Sequence, residues 1–351
     1  MRTPVNRFSP TFMMLATVVA GPLVLSACAS QPAPQPTPIA PPSEQATSLP
    51  GESAPPAISG ATWPFTGLPA DDPNALTRAA VAVKVDNAPG ARPQTGLDQA
   101  DVVVEEIVEG GTTRFLAIYH SSLPAEVAPI RSGRPVDTQI LPSFGTDLAM
   151  SGAAEPTLQV LRAGGLNLWI HGEVDGAFWR VKSRKAPHNL AVNVATIAEQ
   201  VAAQGRNATQ SPFLFDATPP QPDVIPGTTP TTTAEVAFSD ATKATWTWAQ
   251  DHWARTQQGA QPWKAATVVI AQVTVAKDGG RDSGGNATVH TELTGSGPAI
   301  ILRDGMAIEG SWRKNSPSSP LSVVDQAGAP VFFAPGQTWI ELAPSPPKLN
   351  G

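Results

Sequence analysis

Residues 81–135 constrain the fold most, because they contain three short apolar runs separated by residues that end strands. The runs at 81–85, 102–108 and 115–119 have the length and composition of β-strands, and Gly, Pro, Asn or Asp bounds each of them. Polar side chains stand at or near the strand ends, at a density that the rest of this weakly charged chain does not approach. They are Asp86, Asn87, Arg92, Asp101, Glu105, Arg114, His120, Arg131 and Arg134. We therefore expect a functional site at these strand ends.

The N-terminus has the pattern of a lipoprotein signal peptide. Residues 1–7 carry two arginines, residues 12–24 are mostly apolar but too short to span a bilayer, and Leu25-Ser26-Ala27-Cys28 follows. The last four residues resemble the bacterial lipobox, whose cysteine is acylated and becomes the first residue of the mature chain. Cys28 is the only cysteine, so no internal disulfide can form and this thiol is the predicted lipid anchor. A secretory peptide with an incidental cysteine is the alternative.

Composition divides the rest of the chain. Pro, Ala, Ser, Gln and Thr dominate 28–59, which cannot bury enough apolar surface to fold, and Pro and Thr are again frequent in 211–233. The predicted organisation is a signal peptide (1–27), a disordered tether (28–59), an α/β domain (60–210), a linker (211–233), a β-rich domain (234–346) and a tail (347–351).

The α/β assignment follows from strands that alternate with helices. Beyond the first three strands, the pattern predicts helices at 136–141, from Pro156 to Gly164 and at 192–204, with strands at 147–152 and 166–171. Such units build mixed sheets covered by helices. From residue 234 onward short alternating strands dominate, which indicates a smaller β-rich domain. Those strands are predicted at 234–238, 245–248, 266–275, 299–303, 306–312, 321–324, 331–333 and 338–342, with a loop tip at 278–286.

Charge and hydropathy narrow the classes of partner. The formal net charge of −6 gives no basic surplus, so nucleic acid is not an expected partner. No apolar run after Cys28 reaches membrane-spanning length, so the lipid is the predicted membrane attachment and the extracytoplasmic face of the cell membrane is the predicted location.

Several long motifs resemble the YerB-like bacterial lipoproteins, a family with a two-part domain of unknown function. In the first half they are TGLP at 66–69, VDNAPGARPQTGLDQAD, EEIVEGGTTRFLAIYHS, PIRSGRP and KAPHNL. In the second half they are DGMAIEGSWRK, VVDQAGAPV and PGQTWIELAP. The resemblance covers nearly all of the chain after the tether. It implies a two-part architecture and an envelope location, and it brings no established activity.

Common catalytic and metal-binding patterns are missing from the sequence. It contains no G-x-S-x-G, H-E-x-x-H or H-x-H motif. Three histidines near predicted element ends, His120, His171 and His188, can converge, or each can be a hydrogen-bonded scaffold residue; Asn189 follows the last of them. Glu105, Glu106 and Glu109 are predicted to lie on one strand, where Glu105 and Glu109 share a face and Glu106 points to the other. Glu105 and Glu109 are then either paired acids for glycoside hydrolysis or part of a solvated surface.

The turn Arg131-Ser132-Gly133-Arg134-Pro135 is the most informative arginine motif. It follows a strand and enters a predicted helix, so two guanidinium groups are available for bidentate contacts with phosphate or carboxylate. Structural ion pairs with Asp101, Glu105 or Asp137 are the alternative. The order of strands and arginines also resembles the LytR-CpsA-Psr ligases. That resemblance implies polyprenyl pyrophosphate held by arginines and an acid-bound magnesium, although the proline-arginine-aspartate turn of those enzymes is replaced here.

These observations predict a cell-envelope binding module for a cell-wall component, such as a glycopolymer, or for an envelope protein. The alternative is an enzyme of lipid-linked glycopolymer metabolism that acts on a polyprenyl pyrophosphate. Aromatic residues of predicted exposed loops are candidates for stacking on sugar rings or packing on a partner, with burial in the core as the alternative: Phe178, Trp179, Trp248, Trp253 and Trp263. The sharpest prediction is that arginines and acids converge at one edge of the α/β sheet. The candidate anion-binding residues are Arg92, Arg114, Arg131 and Arg134, with Asp86 and Asp101 as acids or metal ligands and Glu105, His120, His171, His188 and Asn189 as secondary candidates.

Overall fold

A computed structural model describes residues 60–145, 147–206, 211–257, 260, 262–281 and 285–351. The signal peptide, Cys28 and the tether lie outside the described residues, as does part of the loop expected at 278–286. In the described part of the chain, no helix is long and apolar enough to cross a membrane.

The strands and helices of the N-terminal half follow the predicted alternation. The strands are β1 (Val81–Asp86), β2 (Val102–Ile107), β3 (Thr113–Tyr119), β4 (Asp147–Met150), β5 (Asn167–Ile170), β6 (Phe178–Arg180) and β7 (Leu190–Val192). The α-helices are α1 (Asp137–Ile140), α2 (Glu155–Ala163) and α3 (Val194–Ala203). Short 3₁₀ helices occur at Pro73–Thr77, Pro89–Ala91, Leu97–Gln99, Glu109–Gly111 and Leu141–Ser143.

The C-terminal half is built from strands. They are β8 (Thr228–Pro230), β9 (Thr233–Ala237), β10 (Lys243–Trp248), β11 (Trp253–Thr256), β12 (Trp263–Ala265), β13 (Thr267–Gln272), β14 (Thr274–Arg281), β15 (Ala287–Glu292), β16 (Gly295–Arg303), β17 (Met306–Lys314), β18 (Ser322–Asp325), β19 (Thr338–Ala343) and β20 (Lys348–Asn350). The predicted fold class, a mixed sheet with helices followed by a β-rich domain, is confirmed.

One mixed sheet runs through both halves. Its strand order is β18-β17-β16-β13-β19-β2-β3-β1-β4-β5, with β8 paired to β17. β1 and β3 are antiparallel, whereas β1, β4 and β5 are parallel neighbours. The two halves meet where β19 pairs in parallel with both β13 and β2. All described residues fall within one compact unit.

Alternating apolar side chains cover both faces of this sheet. In β1, Val81, Val83 and Val85 point into one core cluster and Ala82 into the other, as the two-residue period of a strand requires. Ile197 of α3 packs into the first cluster and Leu161 of α2 into the second. Burial on both faces explains why these strands read as nearly continuous apolar runs in the sequence.

A second, antiparallel sheet covers the first core cluster. Its order is β12-β11-β10-β9-β20. Trp246, Trp253 and Trp263 from this sheet belong to the same cluster as Trp339 of β19. Trp253 and Trp263 are therefore core residues, and the expectation that they stack on sugar rings is corrected by their burial.

The C-terminal strands differ from the expected boundaries in three places. The strand expected at 266–275 is two strands, β13 and β14, and β14 extends into the loop expected at 278–286 to form a hairpin with β15. Thr228–Pro230, inside the expected linker, pairs with β17, and Lys348–Asn350, inside the expected tail, pairs with β9. In each case the strand is stabilised by a partner distant in sequence, which local composition does not encode.

Candidate functional site

The antiparallel register of β1 and β3 brings the first candidate residues together. Asp86, the last residue of β1, is paired with Arg114, near the start of β3. The following segment joins the same edge, because the backbone N–H of Arg131 donates to the carbonyl oxygen of Lys84 at 2.8 Å. Asp86, Arg114 and Arg131 are thus held by backbone hydrogen bonds at one end of the sheet.

Asp86 is almost fully buried and is occupied by cationic and N–H partners. Its Oδ2 lies 2.9 Å from Nε of Arg131 and 2.7 Å from Nδ1 of His188. Its Oδ1 accepts the backbone N–H of Ala88 at 3.0 Å. The structure therefore brings His188 into the site through Asp86, and this carboxylate holds Arg131 in place.

Arg134 forms the second ion pair at this edge. Its Nε lies 3.2 Å from Oε2 of Glu109, and its Nη2 contacts the same oxygen. Its backbone N–H donates to Asp137 Oδ2 at 2.8 Å, which fixes the turn at the start of α1. Glu109 lies in the 3₁₀ helix after β2 and faces this edge, whereas Glu105 points into the protein core. The prediction that the two glutamates share a face is corrected because β2 ends at Ile107.

Arg114 is buried, and the described structure pairs it with no carboxylate. Its Nη1 donates to the carbonyl oxygen of Ser132 at 2.7 Å. Burial, followed by the positive charges of Arg134 and Arg131, lowers the pKa of Arg114 to about 10. The site therefore holds a guanidinium group in surroundings that disfavour its charge.

These arginines border a cavity of about 360 Å³. It is lined by Glu109, Arg114, Arg131, Ser132, Arg134, Pro135, Ala154, Thr157, Arg281, Thr288 and Val289. Among the lining residues four carry a guanidinium group and one carries a carboxylate. We call this space the arginine cavity.

Arg281 was missed by sequence reasoning. It stands in the glycine-rich stretch expected as a loop tip, but the structure places it at the end of β14 and on the wall of the arginine cavity. A lone arginine beside glycines has no local feature that separates a binding residue from a solvated one. Only the packing of the β14–β15 hairpin beside the N-terminal half shows that Arg281 lies at the cavity.

Two of the main candidates do not line the arginine cavity. Arg92 donates from Nη2 to the carbonyl oxygen of Asn87 at 2.8 Å and from Nε to Oδ1 of the same residue at 3.2 Å. Asp101 is buried at the opposite end of β3, where it accepts the backbone N–H groups of His120 and Ser121. At about 3.3 Å per residue, that end lies about 20 Å from Asp86. The expected convergence of Asp101 with the arginines is therefore corrected.

The secondary candidates are also dispersed. His120 is buried and its Nε2 lies 2.9 Å from the carbonyl oxygen of Arg78, in contact with Trp63. His171 contacts Phe178, and Asn189 accepts from Arg180 at 2.8 Å on the surface. The three candidate histidines therefore do not converge. Of the three, only His188 contacts Asp86, the acid that pairs with Arg131 of the arginine cavity.

Glu105 belongs to a different cluster, deep in the core. It contacts Arg255 and accepts from Asn87 at 3.0 Å and from the hydroxyl of Thr113 at 2.6 Å. Glu105 does not line the arginine cavity. Its contacts indicate a structural role in place of the predicted role as one of two paired catalytic acids.

The residues at this edge do not fit an acid-bound magnesium. Asp86 already has Arg131 and His188 as partners, and Asp101 lies at the far end of the strand pair. Among the described residues, no group of three His, Cys, Asp or Glu side chains is placed to hold a metal ion.

Comparison with known proteins identifies relatives over most of the chain. Residues 65–207 match the family model "Protein of unknown function (DUF3048) N-terminal domain", and residues 234–340 match the corresponding C-terminal domain. "Putative lipoprotein YerB" of Bacillus subtilis (strain 168) is 29% identical over 296 residues, which cover 80% of this chain and 86% of that protein. The crystal structure of YerB protein from Bacillus subtilis superposes with a TM-score of 0.69 at 24% identity, covering 83% of this chain and 99% of that one.

Proposed function

Since this chain belongs to the DUF3048 family of YerB-like proteins, we propose that it is a lipid-anchored binding module of the cell envelope. The relative named as a lipoprotein supports the anchor, and the lipobox-like sequence ending at Cys28 supplies its chemistry. Cys28→Ala tests the anchor directly. The variant is expected to leave the membrane fraction and to lack the lipid mass that the wild type carries.

The arginine cavity is the observation that carries the binding proposal. Four guanidinium groups face a space of about 360 Å³ with one carboxylate among the lining side chains. Buried or half-buried arginines are normally matched by acids, so a surplus of cations around a cavity favours an anionic ligand. Envelope components with phosphate or carboxylate groups, such as anionic glycopolymers and acidic segments of envelope proteins, have the required charge.

The same geometry supports binding over group transfer. The alternative, an enzyme acting on a polyprenyl pyrophosphate, would use acids that hold magnesium beside the arginines. Asp86 is engaged by Arg131, and Asp101 lies about 20 Å away at strand spacing. The arginines alone can hold an anion but bring no activated nucleophile to it.

Titration calorimetry with inorganic pyrophosphate, on the full chain in uncharged detergent, tests the proposal. The wild type is expected to bind, and Arg131→Ala to bind ten- to a hundredfold more weakly, since a bidentate contact with an anion contributes about 1.5–3 kcal/mol. Arg313→Ala is the matched control, because Arg313 is an exposed arginine of β17 that does not line the cavity. Absence of binding by the wild type, or equal binding by all three proteins, would remove the cavity as a ligand site.

A further inference from the structure

We infer that the arginine cavity selects a phosphate group carrying two negative charges, as in a phosphate monoester or a pyrophosphate, over a carboxylate or a phosphodiester. This inference rests on the proposed binding function and specifies its ligand. It follows from how the four arginines are paired.

Two of the four arginines are already neutralised within the protein. Arg131 lies 2.9 Å from Asp86, and Arg134 contacts Glu109. Each pair combines one guanidinium group with one carboxylate, so neither adds net charge to the site. Both arginines can still donate further N–H groups to a ligand because a guanidinium group has five of them.

The other two arginines are partnered by neutral oxygens. Arg114 donates to the carbonyl oxygen of Ser132 at 2.7 Å, and Arg281 donates to that of Gly285 at 2.6 Å. In the part of the chain that the structure describes, neither forms an ion pair with a carboxylate. Among the described residues, these two guanidinium groups therefore have no carboxylate partner, and a ligand with two negative charges balances them.

Burial strengthens the repulsion between the arginines that have no carboxylate partner. Arg114 is 9% exposed, and its depressed pKa reflects lost hydration and the nearby charges of Arg134 and Arg131. Like charges repel more strongly where water is excluded, so every uncompensated cation weakens the site. A monoanion relieves half of this imbalance and a dianion relieves all of it.

The size of the cavity limits what can be attached to the phosphate. About 360 Å³ lies at the small end of the range for ligand sites, with room for a phosphate and one small polyol or sugar ring. Thr157 and Val289 on the wall offer a hydroxyl and an apolar contact to such a group. A monoester places one substituent in this space, whereas a diester must place two.

The two charges come from different halves of the protein. Arg114 lies near the start of β3 in the N-terminal half, and Arg281 ends β14 in the C-terminal half. A dianion between them contacts both halves at once. Selectivity for the dianion should therefore depend on each arginine separately.

The decisive experiment compares ligands that differ by one charge. Glycerol 1-phosphate and its methyl diester are titrated into the full chain at pH 7.5, with acetate as the carboxylate. We expect the monoester to bind at least tenfold more tightly than the diester or acetate. In Arg281→Gln the monoester should lose about tenfold in affinity and the diester less than threefold, so the ratio of the two affinities falls. Arg114→Gln should have the same effect. Arg281 lies on an exposed hairpin, so its variant keeps the test valid if the buried Arg114→Gln variant does not fold.

Two further outcomes distinguish failure of this inference from failure of the proposed binding function. Equal binding of monoester and diester by the wild type overturns the inference and leaves an anion-binding module. No binding of any of the anions overturns both. Phosphatidylcholine vesicles containing phosphatidic acid, compared with vesicles containing phosphatidylglycerol, show whether a lipid-borne monoester is also accepted; preference for the diester lipid would again contradict the inference.

Discussion

Two arginine clusters of this protein have opposite charge balances. Arg255 is fully buried, contacts the carboxyl groups of Glu105 and Glu341, and donates from Nη1 to Oε1 of Gln257 at 3.1 Å. Three aromatic rings surround its guanidinium carbon at 5.1–5.6 Å: Phe115, Trp263 and Trp339. In the arginine cavity, by contrast, cations outnumber the acids among the described lining residues and open space replaces the rings.

The comparison contrasts an arginine that is balanced by acids within the core with the arginines that we propose bind a ligand. Burial and the neighbouring charge of Glu105 raise the pKa of Glu341 well above its usual range. This cluster surrounds one guanidinium group with two carboxyl groups, so the charge of Arg255 is balanced without a ligand. Of the four described arginines that line the arginine cavity, only Arg131 and Arg134 form an ion pair with a described carboxylate.

Breaking the Arg255 cluster should give the largest effect. Arg255→Met leaves the Glu105 carboxylate buried without its cation, which typically costs about 3–5 kcal/mol in the free energy of unfolding. Arg281→Ala, which removes a cavity arginine, should cost less than about 0.5 kcal/mol. Urea denaturation followed by tryptophan fluorescence measures both. The double variant Arg255→Met/Glu105→Gln should recover part of the loss, and equal destabilisation by Arg255→Met and Arg281→Ala would refute the distinction.

The pH dependence of the unfolding free energy should distinguish the buried ion-pair clusters from the arginine cavity. Lys84 is fully buried and lies 2.5 Å from Glu106 and 2.7 Å from Asp137. Burial nevertheless raises the pKa of Glu106 to about 6 from its usual value near 4.5. The folded state therefore binds more protons than the unfolded state between these values, so this carboxyl group lowers stability as pH rises from about 4.5 to about 6.

Glu106→Gln removes that contribution. The difference in unfolding free energy between the wild type and the variant should fall by about 1–2 kcal/mol over this interval, as measured by urea denaturation at several pH values. Other buried acids titrate in both proteins and cancel. A difference that stays constant with pH would show that Glu106 ionises normally.

Removing the cavity's carboxylate should have a smaller effect, on binding. Glu109→Gln frees Arg134 for the ligand and removes a repulsive charge, so the affinity for glycerol 1-phosphate should rise about fivefold, roughly 1 kcal/mol. Glu199→Gln, on an exposed part of α3, should leave it unchanged. Calorimetry measures both, and weaker binding by Glu109→Gln would mean that this carboxylate positions Arg134 for the ligand.

The smallest effect is expected at an exposed ion pair. Lys243 lies 3.4 Å from Glu235 with both side chains well exposed to solvent. Such pairs contribute little, so Lys243→Ala should change the unfolding free energy by less than about 0.5 kcal/mol in thermal or urea denaturation. A larger loss would show that charge balance matters even without burial.

The strands of the central stretch and the arginine turn were predictable from sequence because their signals are local. The apolar runs and the residues that bound them identify β1, β2 and β3, and the turn around Gly133 follows from its position before α1. Which strand ends share an edge depends on strand direction, a property of the assembled sheet. This is why Arg114 joined Asp86 and Asp101 did not.

The residues missed by sequence reasoning share a long-range cause. Arg281 reaches the cavity, and Arg255 reaches Glu105, through contacts between segments far apart in the chain. No periodicity or motif marks either arginine, and the fold gives the two different surroundings despite identical chemistry. Among the described residues, Arg255 contacts two carboxyl groups, whereas Arg281 donates to the carbonyl oxygen of Gly285.

The position of β19 has a consequence for how the protein folds. This strand comes near the end of the chain, yet it lies between β2 and β13 and pairs with both. During synthesis the earlier strands emerge first, and the edges of β2 and β13 stay unpaired until β19 is made. Unpaired strand edges are prone to association with other chains. Pairings between such distant segments also form slowly. A chain cut short before residue 338 lacks the strand that joins β2 to β13, so the mixed sheet cannot become continuous until β19 has been synthesised.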